Sequence, residues 1–468
     1  MVFTTQIFIF YFLPLFLLVY YNLPNRWRNV CITLGSYLFY GWWQPWFAGL
    51  MLFTTVLDFF WGKFITRPGA TPVQRKLAVA ACVVTNLSLL GFFKYYMFAA
   101  ETLNQILATV GAQQFRVMQV VLPIGISFYT FHSLTYIIDL YRGHATPAKS
   151  FSGFSAFVAL FPDLVAGPII RYKTLAEQLR EREHTVTRFA SGVAIFIVGF
   201  AKKILLANPC GQVADGAFNS AHPYALDAWV GVLAYAFQIY FDFCGYSDMA
   251  VGLGRMLGFE FPRNFDAPYR SESITELWRR WHISLSNVLR DYLYFALGGN
   301  RKGEGRTYIN LAVVMVVGGI WHGAKWNFVF WGAFHGLFLA LERWHGKRSF
   351  YEALPRPGRI GMTFLLMLFS WVLFRADNLT AAMDYYRAML GMGSPGSVGL
   401  LLAATIYTPY HVIILIVCTV LVFQPMQAHD WALTSVTWRR IAVVVPLFIL
   451  ALMAMYTQAF NPFLYFQF

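Results

Sequence analysis

The chain has 468 residues, of which 58% are hydrophobic, 19% aromatic and only 12% charged, with a formal net charge of +14. A soluble globular protein carries about 25% charged residues, so water is not the solvent for this much apolar side chain. Disorder and a collagen-like fibre are excluded too. So is a disulfide-stapled domain, because Cys31, Cys82, Cys210, Cys244 and Cys418 are scattered, odd in number and free of any CxxC. The composition is that of an integral membrane protein. Its positive charge is placed by the positive-inside bias rather than by nucleic acid.

Uncharged runs mark the membrane segments. Met1–Asn25 has no basic n-region and no cleavage site and reads as a retained first helix. Asn29–Leu57 follows, broken by Gly41, Trp42, Trp43, Gln44, Pro45 and Trp46 into two short helices. Leu77–Phe93 and Val117–Ile138 read as spans, and Phe151–Pro162 as a shorter patch ended by Asp163 and the Ala166-Gly167-Pro168 break. Phe189–Ala201 and Ala228–Tyr240 are short for full spans. Phe241–Gly258 carries Asp242, Asp248 and Arg255 among four glycines, a pattern tolerated at membrane depth only inside protein or beside a wet cavity.

Thr307–Ala324, Trp326–Leu341, Ile360–Phe374, Leu400–Pro425 and Ile441–Phe468 complete the set. The expectation is an all-α polytopic membrane protein of about eleven or twelve transmembrane and re-entrant helices. It is expected to form one domain over residues 1–468. Arg26 and Arg28, and then Lys63, Arg67, Arg75 and Lys76, mark cytoplasmic loops, whereas Asn208–Asp227 has only acidic charge and reads as external.

Two segments carry candidate chemistry. Ser271–Gly299 opens with Ser273 three residues before Glu276, a capping-box signature, and closes on Gly298-Gly299. Apolar residues recur between them at helical spacing, predicting one amphipathic helix with His282 at the edge of its stripe. Arg279 and Ser286 are its polar neighbours on that side, and Arg280 and Asp291 point away. An interfacial helix with His282 as trim explains the periodicity equally well. Thr307–Ala324 is uncharged yet ends in Gly318-Gly319-Ile320-Trp321-His322-Gly323. A histidine inside a span needs a partner or a cavity. His322 therefore reads either as a proton acceptor or acyl-accepting nucleophile, or as a structural hydrogen bond across the bundle.

His132, His335 and His411 read as packing histidines. There is no HExxH, no GxSxG, no GxxxxGK[ST], and no histidine pair spaced to hold a metal. The loop Asn300–Arg306 holds Arg301, Lys302 and Arg306. With Arg279 and Arg280 it reads either as an attractor for the phosphates of a nucleotide-bearing donor or as a cytoplasmic anchor.

Five stretches resemble the membrane-bound O-acyltransferase superfamily: Pro123–Phe131; Phe161-Pro162-Asp163 through Gly167-Pro168-Ile169; Arg263–Tyr269; Glu276–Ser286; and Gly319–Ala324 with Asn327–Gly332. Within it the chain is similar to the bacterial branch that O-acetylates secreted polysaccharides, alginate or cellulose. The resemblance implies a helical ring around a central funnel or tunnel in the bacterial inner membrane, with His322 catalytic at the narrow point and His282 lining it. It implies an acyl thioester such as acetyl-CoA as donor, with no bound cofactor and no metal. It further implies a periplasmic acetyltransferase partner that esterifies the polymer. Trp278, Arg279, Ser286, Trp321, Asn327, Arg301 and Lys302 are the expected substrate- and donor-binding residues. D-alanyl or other acyl transfer to a cell-wall polymer is the neighbouring alternative, and a polytopic transporter the alternative of another class.

Overall fold

Apolar runs punctuated by proline and glycine fold as helices in the computed structural model, which describes residues 1–220, 223–346, 348–392, 399–427, 430–431, 437–458, 461–462 and 464. Every regular element among these residues is helical. Six described helices are long and apolar enough to cross a bilayer: Pro45–Thr66, Pro72–Thr109, Val186–Phe218, Ala225–Met256, Arg356–Arg375 and Trp438–Thr457. Ile7–Asn22 and Pro409–Phe423 are shorter apolar helices. The protein is therefore an all-α, multi-pass membrane protein. Its chain forms two compact units, Met1–Phe189 with Leu253–Phe261 and Ala190–Gly252 with Pro262–Phe468.

In the first unit, the break expected at Gly41–Trp46 is present, with helices ending at Gly41 and restarting at Pro45. Phe161 packs against Phe12, Phe16 and Phe39 at ring-centroid separations of 5.4, 5.1 and 5.5 Å. Asp58 is buried and accepts from the Cys82 thiol and the Asn86 amide at 3.0 and 2.9 Å. His132, read as a packing residue, is buried against the Asp163 carboxylate at 3.0 Å.

The span expected at Val117–Ile138 starts late, at Ile126. Pro123 ends an approach without regular structure, and Gly125 turns at φ +76, where an added Cβ would lie 2.6 Å from the Leu164 carbonyl. Its carbonyl then accepts from the amides of Phe128 and Tyr129, which opens the helix.

In the second unit the short pieces expected between Phe189 and Gly258 prove to be two continuous helices, Val186–Phe218 and Ala225–Met256. Their glycines are contact points rather than breaks. A Cβ on Gly199 would fall 2.5 Å from the Gly245 carbonyl, and one on Gly252 would fall 2.6 Å from the Gly192 carbonyl. Small residues let the two backbones cross at this distance. The charges are paired across the same crossing, Lys203 with Asp242 at 2.7 Å and Lys202 with Asp248 at 2.6 Å. Wider π-helical turns at Lys202–Ala207 bring the two adjacent lysines to these two carboxylates.

Leu400–Pro425 also departs from one span. It forms Gly399–Ile406 and Pro409–Phe423, split where Pro409 cannot continue a helix.

Candidate functional site

His322 is the last residue of the helix Glu304–His322, and Trp326–Trp344 returns beside it after three residues. The glycines around His322 are required by that return. A Cβ on Gly319 would lie 2.1 Å from the Phe328 carbonyl, one on Gly323 would lie 2.0 Å from the Phe328 ring, and one on Gly332 would lie 2.4 Å from the Met315 carbonyl. The two backbones are thus in contact, and the chain leaves the first helix with Gly323 fully extended. This fixes the imidazole at the rim of a rigid hairpin.

His282 reaches the same place by a different route. The single helix expected over Ser271–Gly299 is broken, because His282 itself sits at φ +43, ψ +55. Ile274–Arg280 ends before it, and Ile283–Val288 starts after it. Asn264 imposes the break. Its carbonyl accepts from the Ile283 amide at 3.0 Å, and its side-chain Oδ1 accepts from the Ser284 amide and hydroxyl at 3.2 and 2.9 Å. A left-handed conformation costs a non-glycine residue about 1–2 kcal/mol. The first helix is capped at both levels: Ser273 Oγ accepts from the Glu276 amide at 3.0 Å. The buried Glu342 carboxylate takes the amides of Ile274 and Thr275 at 2.7 and 2.8 Å. Gly298 and Gly299 end the segment as expected, both at positive φ.

The two imidazoles lie with ring centroids 6.1 Å apart, His282 fully buried and His322 7% exposed. Phe243, Trp321, Trp331 and Phe374 surround them. Phe243 stands 4.6 Å from His282, and Trp331 and Phe374 stand 5.2 and 5.4 Å from His322. His282, in the broken segment between spanning helices, is held well below the ordinary histidine range by its burial, with the neighbouring His322 adding to the effect. A neutral imidazole offers one donor and one acceptor nitrogen.

His322 lines two cavities. One, of about 280 Å³, is walled by Trp278, Leu285, Ser286, Leu289, Met315, Gly318 and Trp331, with Arg290 and Tyr294 further out. The other, of about 20 Å³, is walled by Asp242, Phe243, Trp281, Trp371, Phe374 and Leu464. A proton acceptor at the boundary of a roomy apolar pocket and a narrow one is suited to group transfer between groups held in the two.

Of the expected binding residues, Trp278 and Ser286 line the larger cavity, and Trp321 packs 5.8 Å from His282 and 5.0 Å from His322. Asn327 is buried but lines neither cavity; its amide donates to the Ala376 carbonyl at 2.6 Å and fastens the end of the helix bearing Trp371 and Phe374. Arg279, Arg301 and Lys302 are exposed and line neither cavity. The cation that does is Arg290, half exposed and joined to Asp291 at 2.7 Å. It escaped the sequence reading, although its i, i+4 spacing from Ser286 was the available signal. Trp371 and Phe374 also became visible only in three dimensions, and Asp242, which the glycine-rich run places inside protein or beside a cavity, lines the narrow one. Among the described residues no three His, Cys, Asp or Glu side chains gather to hold a metal ion.

Residues 144–348, which contain both histidines, match the family described as MBOAT, membrane-bound O-acyltransferase. Along its whole length the chain is 43% identical to a probable alginate O-acetylase AlgI of Azotobacter vinelandii, itself matched over 100% of its length. It is 48% identical to the probable alginate O-acetylase AlgI of Pseudomonas aeruginosa over 84% of this chain and 76% of that one. A peptidoglycan O-acetyltransferase of Helicobacter pylori is 34% identical over 84% of this chain and 80% of its own.

Proposed function

The chain belongs to the membrane-bound O-acyltransferase family, and on that premise we propose that it supplies acetyl groups for O-acetylation of a secreted polysaccharide of the alginate type. It works in the bacterial inner membrane on a cytoplasmic acetyl thioester, with a periplasmic acetyltransferase as its partner on the far side. Whole-length identity to alginate O-acetylases supports the polymer class. The observation that carries the mechanism is His322 lining both cavities.

The thioester's acyl end enters the 280 Å³ cavity past Arg290, whose charge suits the phosphates of a nucleotide-bearing donor. An acceptor hydroxyl meets it at the narrow side. The His322 imidazole takes the hydroxyl proton as the oxygen attacks the acyl carbon. The C–O bond forms, the C–S bond breaks, and the imidazolium returns the proton to the departing thiolate. His282, which lines neither cavity, stands with its ring centroid 6.1 Å from that of His322 and orients the reacting groups through it.

The test is complementation of a strain lacking the gene with wild type and His322→Ala, reading ester-linked acetyl on the secreted polymer and the membrane abundance of each protein. General acid–base catalysis contributes about 10²–10⁴-fold. The variant is expected to lose essentially all acetyl at wild-type abundance, and full acetylation by it removes His322 from the reaction.

A further inference from the structure

On the other side of Tyr240 and Phe241 from the His322 site lies a cavity of about 430 Å³ that the transfer reaction does not use. Val417, Leu421, Val443 and Leu447 form much of its wall, and Lys202, Gln424, Gln427 and Trp431 stand among its lining. Its volume lies within the range of about 300–1,000 Å³ typical of ligand pockets. An apolar cavity does not hold water, which needs two to four polar partners.

The lining is ordered along the helices. On Trp438–Thr457, Arg440, Val443 and Leu447 follow at spacings of three and four and so share one face. The Arg440 guanidinium lies 5.4 Å from the centre of the Trp431 ring, which lines the cavity. On Pro409–Phe423, Val417 and Leu421 lead to Gln424 just past the helix end. Both helices are therefore aliphatic along the cavity and polar or cationic at one end, Gln424 just past the end of the first and Arg440 in the first turn of the second. A cation, an indole and two amides above a hydrocarbon wall match a molecule with an anionic head and an apolar chain. The Trp438–Thr457 helix also starts at that end, and its dipole favours negative charge there. Val417 and Val443 are 38% and 47% exposed, and the helix Trp438–Thr457 that carries Val443 is long and apolar enough to cross a bilayer, which suits the cavity to an occupant drawn from the lipid.

We propose that this cavity is a phospholipid site, with one acyl chain along Val417, Leu421, Val443 and Leu447 and the phosphate at Arg440. The bound chain packs on Tyr240, whose hydroxyl donates to Gln427 at 3.1 Å and whose ring stands 6.2 Å from Trp281, the residue before His282. The site itself is independent of how the acyl group is transferred.

The full chain is delipidated in detergent and offered dioleoylphosphatidylglycerol or dioleoylglycerol, which has the same chains without a phosphate, and retention is read by native mass spectrometry. Wild type is expected to keep one phosphatidylglycerol per chain and to prefer it to dioleoylglycerol by about tenfold, near 1.4 kcal/mol. Leu447→Trp fills the cavity and abolishes retention, and Arg440→Gln erases the preference. Val443→Trp, at a half-exposed position, gives the same loss should Leu447→Trp fail to fold. No retained lipid on wild type, equal retention of the two lipids, or undiminished retention by a folded cavity-filling variant each overturns the proposal.

Discussion

The Trp278 indole donates its Nε1–H to Nδ1 of His335 across 3.3 Å. The helix that leads to His282 is thereby tied to the helix that follows His322. Trp278 lines the larger cavity, and His335 is fully buried with its ring 4.8 Å from Trp331, which lines both cavities. The bond makes Nδ1 the acceptor and leaves the His335 proton on Nε2. A histidine that reads as packing in the sequence is therefore an aligning contact between the two halves of the site.

Trp278→Phe should keep the ring contact with Trp331 at 5.7 Å but leave the buried Nδ1 of His335 without its donor. An unsatisfied buried polar group costs about 1–3 kcal/mol. Thermal unfolding of the purified protein should show that loss for Trp278→Phe and a comparable one for His335→Leu. The double variant should cost less than the two losses added, by about 1 kcal/mol. Strict additivity would mean that the contact does not couple the helices.

The φ of +43 at His282 separates its backbone role from its imidazole. Asparagine tolerates the left-handed region far better than β-branched residues do. His282→Asn is therefore expected at wild-type membrane abundance with acetyl transfer reduced, because the ring is gone. His282→Val should lose abundance as well, since strain and a lost ring act together. Quantitative immunoblotting of membranes beside polymer ester content distinguishes the two. Normal transfer by His282→Asn would leave the imidazole with no part in the site.

His322 was legible because its signals are local in the chain. An uncharged run, two glycines before it and one after it are all features of one helix end, and the structure supplies their reason in the contacts with Phe328 and Gly332. At His282 the residue was legible and its conformation was not. The apolar spacing from Ile274 to Tyr292 runs on unchanged through the break, while the group that causes the break, Asn264, is 18 residues upstream of it in the chain. Charge counting likewise selected Arg301 and Lys302 and missed Arg290. It finds basic loops, but it does not say which cation faces a cavity. The short segments expected between Phe189 and Gly258 failed for the opposite reason: a glycine in an apolar helix looks the same in sequence whether it bends the helix or admits a neighbour.

That last distinction is testable at the crossing. Gly199→Val would place its Cβ 2.5 Å from the Gly245 carbonyl, a backbone atom that no side-chain rotation can move away. Overpacking costs about 1–3 kcal/mol where the neighbours can adjust, and here they cannot do so cheaply. Gly199→Val is expected to leave little protein in the membrane. Gly361→Ala, with nothing within 4 Å of the added Cβ, should be recovered at wild-type yield. Equal yields of the two variants would mean that the helices do not cross at Gly199.

The buried pairs at the same crossing make a sharper case. Lys203 and Asp242 are 1% and 2% exposed at the side chain and 2.7 Å apart, and Asp242 also lines the small cavity beside His322. The second carboxylate oxygen accepts from the Leu464 amide at 2.9 Å, and Lys203 donates to the Pro462 carbonyl, so the pair anchors that segment too. Removing one member leaves a buried charge alone, which costs about 3–5 kcal/mol, whereas replacing both with apolar residues of similar size is often neutral. Asp242→Leu and Lys203→Met should each collapse membrane abundance, and the double variant should recover much of it. Recovered protein with normal acetylation assigns the pair to architecture. Recovered protein without acetylation means that Asp242, which lines the small cavity beside His322, also has a part in the transfer.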